Sequence, residues 1–146
     1  MSTSGKRLAL GILGVGHFGR FHALKAAANP RIRLVGLHDA DDVRAAAVEA
    51  EVGAPAMPAE ALVAAADAVI VAAPTRFHFA LADAALAAGR HVFIEKPIAA
   101  TLAEADALVD RAAAAGRVLQ VGHIERFSAA FRAVTEAAAG GGALSW

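Results

Sequence analysis

Three glycines at one- and two-residue spacing, Gly14-Val15-Gly16-His17-Phe18-Gly19, constrain this chain more than any other feature. They close an apolar run, Arg7 to Leu13, and open an alanine-rich run, Phe18 to Ala28, that stops at Asn29-Pro30. Glycine turns occur in many folds, but between a strand and a helix each glycine has a use. Gly14 permits the tight turn, Gly16 lets backbone approach a pyrophosphate, and Gly19 lets the helix pack closely on the strand. The helix start then offers free N–H groups and a partial positive charge to phosphates. Asp39 lies 20 residues past Gly19, at the end of a second strand-like run, Arg31 to His38. A carboxylate there can accept both hydroxyls of an adenosine ribose. Together these residues predict a dinucleotide-binding domain. Because a carboxylate repels a 2′-phosphate, NAD is expected ahead of NADP. Arg44, which could cover a phosphate, is expected on the solvated face of the second helix.

The rest of the chain repeats the alternation. Helices are predicted over Asp41 to Glu51, Pro58 to Ala66, Phe77 to Ala88, Thr101 to Ala115 and Ser128 to Ala139. Strands are predicted over Ala68 to Ala72, His91 to Ile94 and Arg117 to Val121, with a brief one near Ala54 to Met57 and a last one beginning at Ala143 to Trp146. Thr101-Leu102-Ala103-Glu104 is a capping box, and Gly53, Gly89 and Gly116 stand where helices end. Strands alternating with helices predict an α/β fold: a doubly wound, mostly parallel Rossmann sheet with helices on both faces.

Composition removes other classes. The 146 residues suit one ordinary domain. The longest run without Asp, Glu, Lys or Arg is twelve residues, Leu8 to Gly19, too short and too glycine-rich for a membrane span. Zero net charge gives no reason to expect nucleic acid or an anionic membrane as partner. There is no cysteine, and the six histidines make no His-x-x-x-His or carboxylate cluster, so no metal is expected. The polar N-terminus, with no cleavage-site pattern, predicts a cytoplasmic protein; a homo-oligomer stays open.

Glu95-Lys96-Pro97 follows the strand His91 to Ile94, Val121-Gly122-His123 closes the next, and Ala73-Pro74-Thr75-Arg76-Phe77-His78 follows the central one. With the glycine loop, these segments resemble the glucose–fructose oxidoreductase / inositol dehydrogenase / MocA family over nearly the whole chain. The resemblance implies the cofactor-binding part of an NAD(P)-dependent oxidoreductase, moving hydride from a sugar, sugar-nucleotide or polyol carbon to nicotinamide. The run Gly122 to Phe127 looks most like the branch that oxidises nucleotide-activated amino sugars. It implies catalytic roles for Lys96 and His123. Cofactor contacts are implied for Gly14, Gly16, His17, Phe18, Gly19, Asp39, Pro74, Thr75, His78, Glu95 and Lys96.

Physical readings stand beside that resemblance. A lysine at the carboxyl end of a parallel strand points into the crevice where such sheets bind ligands. Partial burial there can lower its pKa and let it assist proton transfer; its alternative is a surface lysine paired with Glu95 or another acid. His78 either touches the cofactor or is a helix-start histidine satisfied by backbone. His123 lines the cleft or supports it from behind, and Arg126 meets an anionic substrate group or bridges two domains. His17 is expected at the cofactor's edge or in solvent, not in catalysis.

The resemblance has limits. Ser128-Ala129 stand where the family usually has Asn-Pro, and the family's second domain supplies most of its substrate pocket. Residues 1–122 are therefore expected to form the dinucleotide-binding domain, and residues 123–146 a connecting segment and truncated start of a substrate domain. A non-catalytic NAD-binding sensor is the alternative; it would have no need of Lys96.

Overall fold

A computed structural model describes residues 6–139. Five strands, β1 (Leu8–Leu13), β2 (Ile32–His38), β3 (Ala68–Val71), β4 (His91–Glu95) and β5 (Leu119–Gly122), form one sheet in the order β2-β1-β3-β4-β5. All its pairings are parallel. Six helices accompany them: α1 (His17–Ala28), α2 (Asp42–Val52), α3 (Ala59–Ala65), α4 (His78–Ala87), α5 (Leu102–Ala115) and α6 (Ala129–Ala139). This is the doubly wound architecture expected from the alternation. The brief strand near Ala54 to Met57 reduces to a single parallel bridge between Leu37 and Ala56, beside β2. The start of α4 also differs: Thr75–Phe77 form a 3-10 turn and the helix proper begins at His78. The segment Ala143 to Trp146 lies outside the described residues.

Period-two alternation along β1 divides the core. Leu10 and Ile12 face α1 and α2, meeting Ala23, Ala26, Ala45 and Val48. Leu13, with Val69, Val71, Val92 and Ile94, packs against Leu62, Leu86 and Leu108 on the other side. Fully burying each large side chain contributes about 1.5–3 kcal/mol. The alanines do more than favour helix: Ala23, Ala82 and Ala85 are fully buried, and their small side chains bring helices close to the sheet. Local chemistry sets the helix ends. Asp41 accepts from the N–H groups of Val43 and Arg44 at the start of α2. The Thr101–Glu104 capping box starts α5, and Gly53 and Gly116 end α2 and α5 in left-handed conformations.

Strand order reverses between β1 and β3, which continue into α1 and α4 on opposite faces of the sheet. At such a switch point the connecting loops part and leave a crevice at the carboxyl ends of the strands. The glycine loop, Asp39, Pro74 and Lys96 all follow strand ends on this edge. Among the described residues after β5 none is buried: Ile124–Phe127 form a 3-10 turn, and α6 has no buried residue. No helix among the described residues is long and apolar enough to cross a membrane.

Candidate cofactor site

The glycine loop is built around contacts that side chains would destroy. Gly14 has φ +90°, and a Cβ there would lie 2.5 Å from the Ala73 nitrogen. A Cβ on Gly19 would collide with the Gly14 carbonyl oxygen. Gly16 is different: nothing lies within 4 Å of its Cβ position, which opens on the space above α1. Gly16 caps α1 without a side-chain hydrogen bond, and no acid stands in the first turn. The helix thus begins with free N–H groups, positive dipole end outward, beside open space. That arrangement fits a pyrophosphate and needs no side chain to bind it. His17 and Phe18 are exposed at this helix start, and the His17 ring meets Phe18 and Phe21 edge-on.

Asp39 joins the loop to the end of β2. Its Oδ2 accepts from Val15 N–H at 2.8 Å, and Oδ1 accepts from Asp41 N–H and from Arg44 Nη1, both at 3.0 Å. Burial raises its pKa, but the Asp41 and Val15 N–H groups and the Arg44 guanidinium outweigh that and hold it below the ordinary aspartate value. An ionised acceptor at this place suits a ribose diol. Arg44 is exposed on the first turn of α2, as expected, and its guanidinium also turns back onto Asp39 and meets Asp41 Oδ2 at 3.2 Å.

On the other side of the switch point, Pro74 and the half-buried Thr75 begin the turn after β3. His78 is only 2% exposed, and its two ring nitrogens each lie 2.8 Å from a backbone carbonyl oxygen, Nδ1 from Pro97 and Nε2 from Ala73. Both nitrogens are used inside the protein. His78 thus takes the backbone-satisfied role of the two readings and ties the loop after β3 to the loop after β4.

Glu95 also turns inward. It is 7% exposed, its Oε1 lies 2.6 Å from Nε2 of His22 on α1, and its Oε2 accepts from Lys96 N–H at 3.3 Å. Instead of offering its carboxylate to the crevice, Glu95 fixes the backbone that carries Lys96. His22 went unnoticed in the sequence because its partner is 73 residues away. Its spacing, three residues past Gly19 and one helical turn into α1, was the available signal.

Lys96 itself is exposed, and its bond to Pro97 is cis. Its Nζ lies 2.6 Å from Glu125 Oε1, in the segment after β5. This corrects the expected lowering of its pKa: the hydrogen bond and charge of Glu125 raise it above the ordinary lysine value, against only weak desolvation. Glu125 is the acid it pairs with, 29 residues away and so not marked by any local pattern. His123 is exposed just past β5, where with Gln120, Arg126, Phe127 and Phe131 it lines an open groove of about 780 Å³ beside α6. Among the described residues no group of three or more His, Asp or Glu side chains could hold a metal ion.

A doubly wound sheet with a bare helix start and an ionised carboxylate at the end of β2 beside its switch point is the arrangement of a dinucleotide-binding domain. The chain belongs to the GFO_IDH_MocA oxidoreductase family, whose NAD-binding Rossmann-fold model matches residues 8–123. It is 45% identical over 131 residues to the UDP-N-acetylglucosamine 3-dehydrogenase of Acidithiobacillus ferrooxidans, covering 89% of this chain and 41% of that enzyme. A crystal form of that enzyme superposes with a TM-score of 0.83 at 44% identity, over 90% of this chain and 43% of that one. The inositol 2-dehydrogenase 1 of Saccharopolyspora erythraea is 36% identical, covering 84% of this chain and 38% of that protein. The scyllo-inositol dehydrogenase of Lactobacillus casei, solved with NAD(H) and scyllo-inositol bound, superposes with a TM-score of 0.83 at 27% identity, over 93% of this chain and 42% of that one. The chain thus spans about two fifths of the length of these relatives.

Proposed function

We propose that this chain is the cofactor-binding part of an NAD-dependent dehydrogenase acting on a hydroxyl-bearing carbon of a sugar nucleotide, sugar or polyol. The observation that carries the reading is Lys96, presented at the carboxyl end of β4, on the same edge of the sheet as the glycine loop, with its backbone held by Glu95. The amides at the start of α1 hold the pyrophosphate, and Asp39 holds the adenosine ribose. Bound there, the nicotinamide supplies the hydride acceptor. Lys96, kept protonated by Glu125, donates a hydrogen bond to the substrate hydroxyl oxygen and stabilises the negative charge that develops there as the hydroxyl proton is removed. Glu125 is then left beside the reacting hydroxyl, and His123 and Arg126 extend the same rim toward the substrate. Residues 123–139 form the connection to a substrate domain, which in a longer protein supplies the general base and most of the pocket. A nucleotide-activated amino sugar is the favoured substrate, by likeness to the Acidithiobacillus enzyme. A cytoplasmic setting belongs to the same proposal.

Two measurements test this. Calorimetric titration of the chain with NAD is expected to give binding, while UDP-N-acetylglucosamine and inositols give little or no NAD reduction with this chain alone. Brisk turnover by the isolated chain would overturn the assignment of the pocket to a second domain. In a longer protein containing this chain, Lys96→Met is expected to remove most NAD reduction and leave NAD affinity within a few-fold. Unchanged turnover would remove Lys96 from the chemistry, whereas a longer protein that binds NAD but reduces none even with Lys96 intact would favour a dinucleotide sensor over an enzyme.

A further inference from the structure

His22, on the second turn of α1, is partly buried against the sheet, and it meets two residues of β4 at once. Phe93 and Glu95 share one face of that strand by its period of two. The His22 ring lies edge-on to the Phe93 ring, and its Nε2 lies 2.6 Å from Glu95 Oε1. In the sheet β1 and β4 are not neighbours, because β3 lies between them. The pair therefore joins α1 directly to the end of β4, a link that the ladder hydrogen bonds do not make.

Stability is a weak reason for such a pair. Apolar residues of similar volume often hold a buried position as well as a buried polar or ionic pair does. What this pair holds is specific. Glu95 Oε2 accepts from the N–H of Lys96, and the opposite wall leaves that oxygen no slack: a Cβ on Gly122 would lie 3.1 Å from it. One carboxylate oxygen thus answers to α1 and the other to the Lys96 backbone. The first N–H groups of α1 are the free donors that suit a pyrophosphate. Lys96 is thereby located against the same helix that locates the cofactor.

We infer that His22 is a positioning residue for hydride transfer: through Glu95 it sets the backbone of Lys96 relative to the helix that receives the cofactor. His22 touches neither cofactor nor substrate. Its effect falls on geometry, where a misplacement of about 1 Å costs on the order of a hundredfold in rate. Cofactor affinity, carried by the glycine loop and Asp39, is left alone. The inference rests on the reading of this chain as part of a dehydrogenase with Lys96 in its chemistry.

The test compares wild type with His22→Gln, His22→Leu and the paired variant His22→Leu/Glu95→Leu. Glutamine keeps an N–H in the place of Nε2, whereas leucine removes it and leaves the carboxylate stranded. The paired leucines remove the carboxylate too, so the fold should recover while the bond to Lys96 N–H stays lost. In a longer protein containing this chain, assayed with NAD and UDP-N-acetylglucosamine, His22→Leu is expected to lower kcat about tenfold or more per folded molecule. NAD affinity by calorimetry should stay within about threefold of wild type. His22→Gln should keep most of kcat. The paired variant should melt close to wild type and still turn over slowly, a combination that a merely structural role does not produce. In the isolated chain, where no turnover is needed, amide exchange followed by NMR should quicken at Lys96 N–H in His22→Leu and in the paired variant, and stay near wild type in His22→Gln. If His22→Leu does not fold, the paired variant and His22→Gln decide. Wild-type kcat in a folded leucine variant, or unchanged exchange at Lys96, would overturn the inference. A longer protein that reduces no NAD with His22 and Lys96 both intact counts against the dehydrogenase reading, and the exchange measurement still decides whether His22 holds Lys96.

Discussion

Nε2 of His22 lies 2.6 Å from Oε1 of Glu95, linking the helix that follows the glycine loop to the strand end that presents Lys96. The His22 ring also meets Phe93 edge-on, with centroids 5.3 Å apart, so its position is fixed by packing as well as by the carboxylate. Gly122 closes the other side: a Cβ there would lie 2.9 Å from the Phe93 ring and 3.1 Å from Glu95 Oε2. The helix that follows the glycine loop and the strand end that carries Lys96 are thereby one assembly.

His22→Ala leaves the Glu95 carboxylate buried with only the 3.3 Å bond from Lys96 N–H. Removing one partner of such a pair costs about 1–3 kcal/mol of stability. The double variant His22→Ala/Glu95→Gln should be more stable than the sum of the singles predicts, because no buried charge is then stranded. Urea denaturation of the four proteins measures this. Strict additivity would show that the two side chains do not interact.

The glycines of the loop should separate stability from binding. Gly14→Ala forces a side chain into a left-handed conformation and against the Ala73 backbone, costing about 1–3 kcal/mol for the conformation alone. Gly16→Ala meets nothing in the protein, so its thermal midpoint should match wild type. Its methyl group stands in the space open to the pyrophosphate, and NAD affinity should fall about tenfold or more, ~1.4 kcal/mol. Wild-type NAD affinity in Gly16→Ala would place the pyrophosphate elsewhere.

His78→Phe keeps a ring in the buried site and removes the N–H that the carbonyls of Ala73 and Pro97 face. A loss of about 1–3 kcal/mol in denaturant unfolding is expected. Hydrogen exchange should quicken in both loops that the ring joins. Faster exchange in the loop after β3 alone would show that the bond to Pro97 contributes nothing.

Asp39 sets an acid limit. Its folded pKa lies below the unfolded value of about 3.9. A depressed carboxyl pKa contributes stability that is fully present above the unfolded value and lost as pH falls through the folded one. The stability difference between wild type and Asp39→Asn should be flat from about pH 5 to 8 and shrink below about pH 4. Thermal melts across that range provide the check. A difference that grows on acidification would mean that the carboxylate is not the favoured form in the fold.

Lys96 behaves with the opposite sign. Glu125 raises its pKa, so the pair's contribution is present below the ordinary lysine value of about 10.4 and is lost only as pH rises through the raised one. Glu125→Gln should bring the Lys96 titration, followed by NMR of labelled lysine, back toward that ordinary value. Lys96 should show no ionisation between about pH 6 and 9 in either protein.

Strand and helix order, the helix-ending glycines and the capping box at Thr101 were legible because each rests on residues near one another in sequence. Periodicity, turn chemistry and capping act over a few residues, so their signals survive without knowledge of the fold. The glycine loop was legible for the same reason, and Asp39 through a spacing that the strand–helix–strand unit enforces. The start of α4 was missed by one residue because a 3-10 turn has nearly the same local pattern as a helix.

The sequence by itself thus determined the architecture, the edge of the sheet where ligand binds and the candidate residues along it. Tertiary structure decided what each polar side chain does there. His22 meets Glu95 across 73 residues, Lys96 meets Glu125 across 29, and His78 reaches Pro97 across 19. Those pairs exist because parallel pairing sets the ends of β1, β3, β4 and β5 in a row, an adjacency that no local pattern encodes. Even Arg44, five residues from Asp39, required the structure: whether an exposed arginine faces water or a carboxylate depends on the turn between β2 and α2.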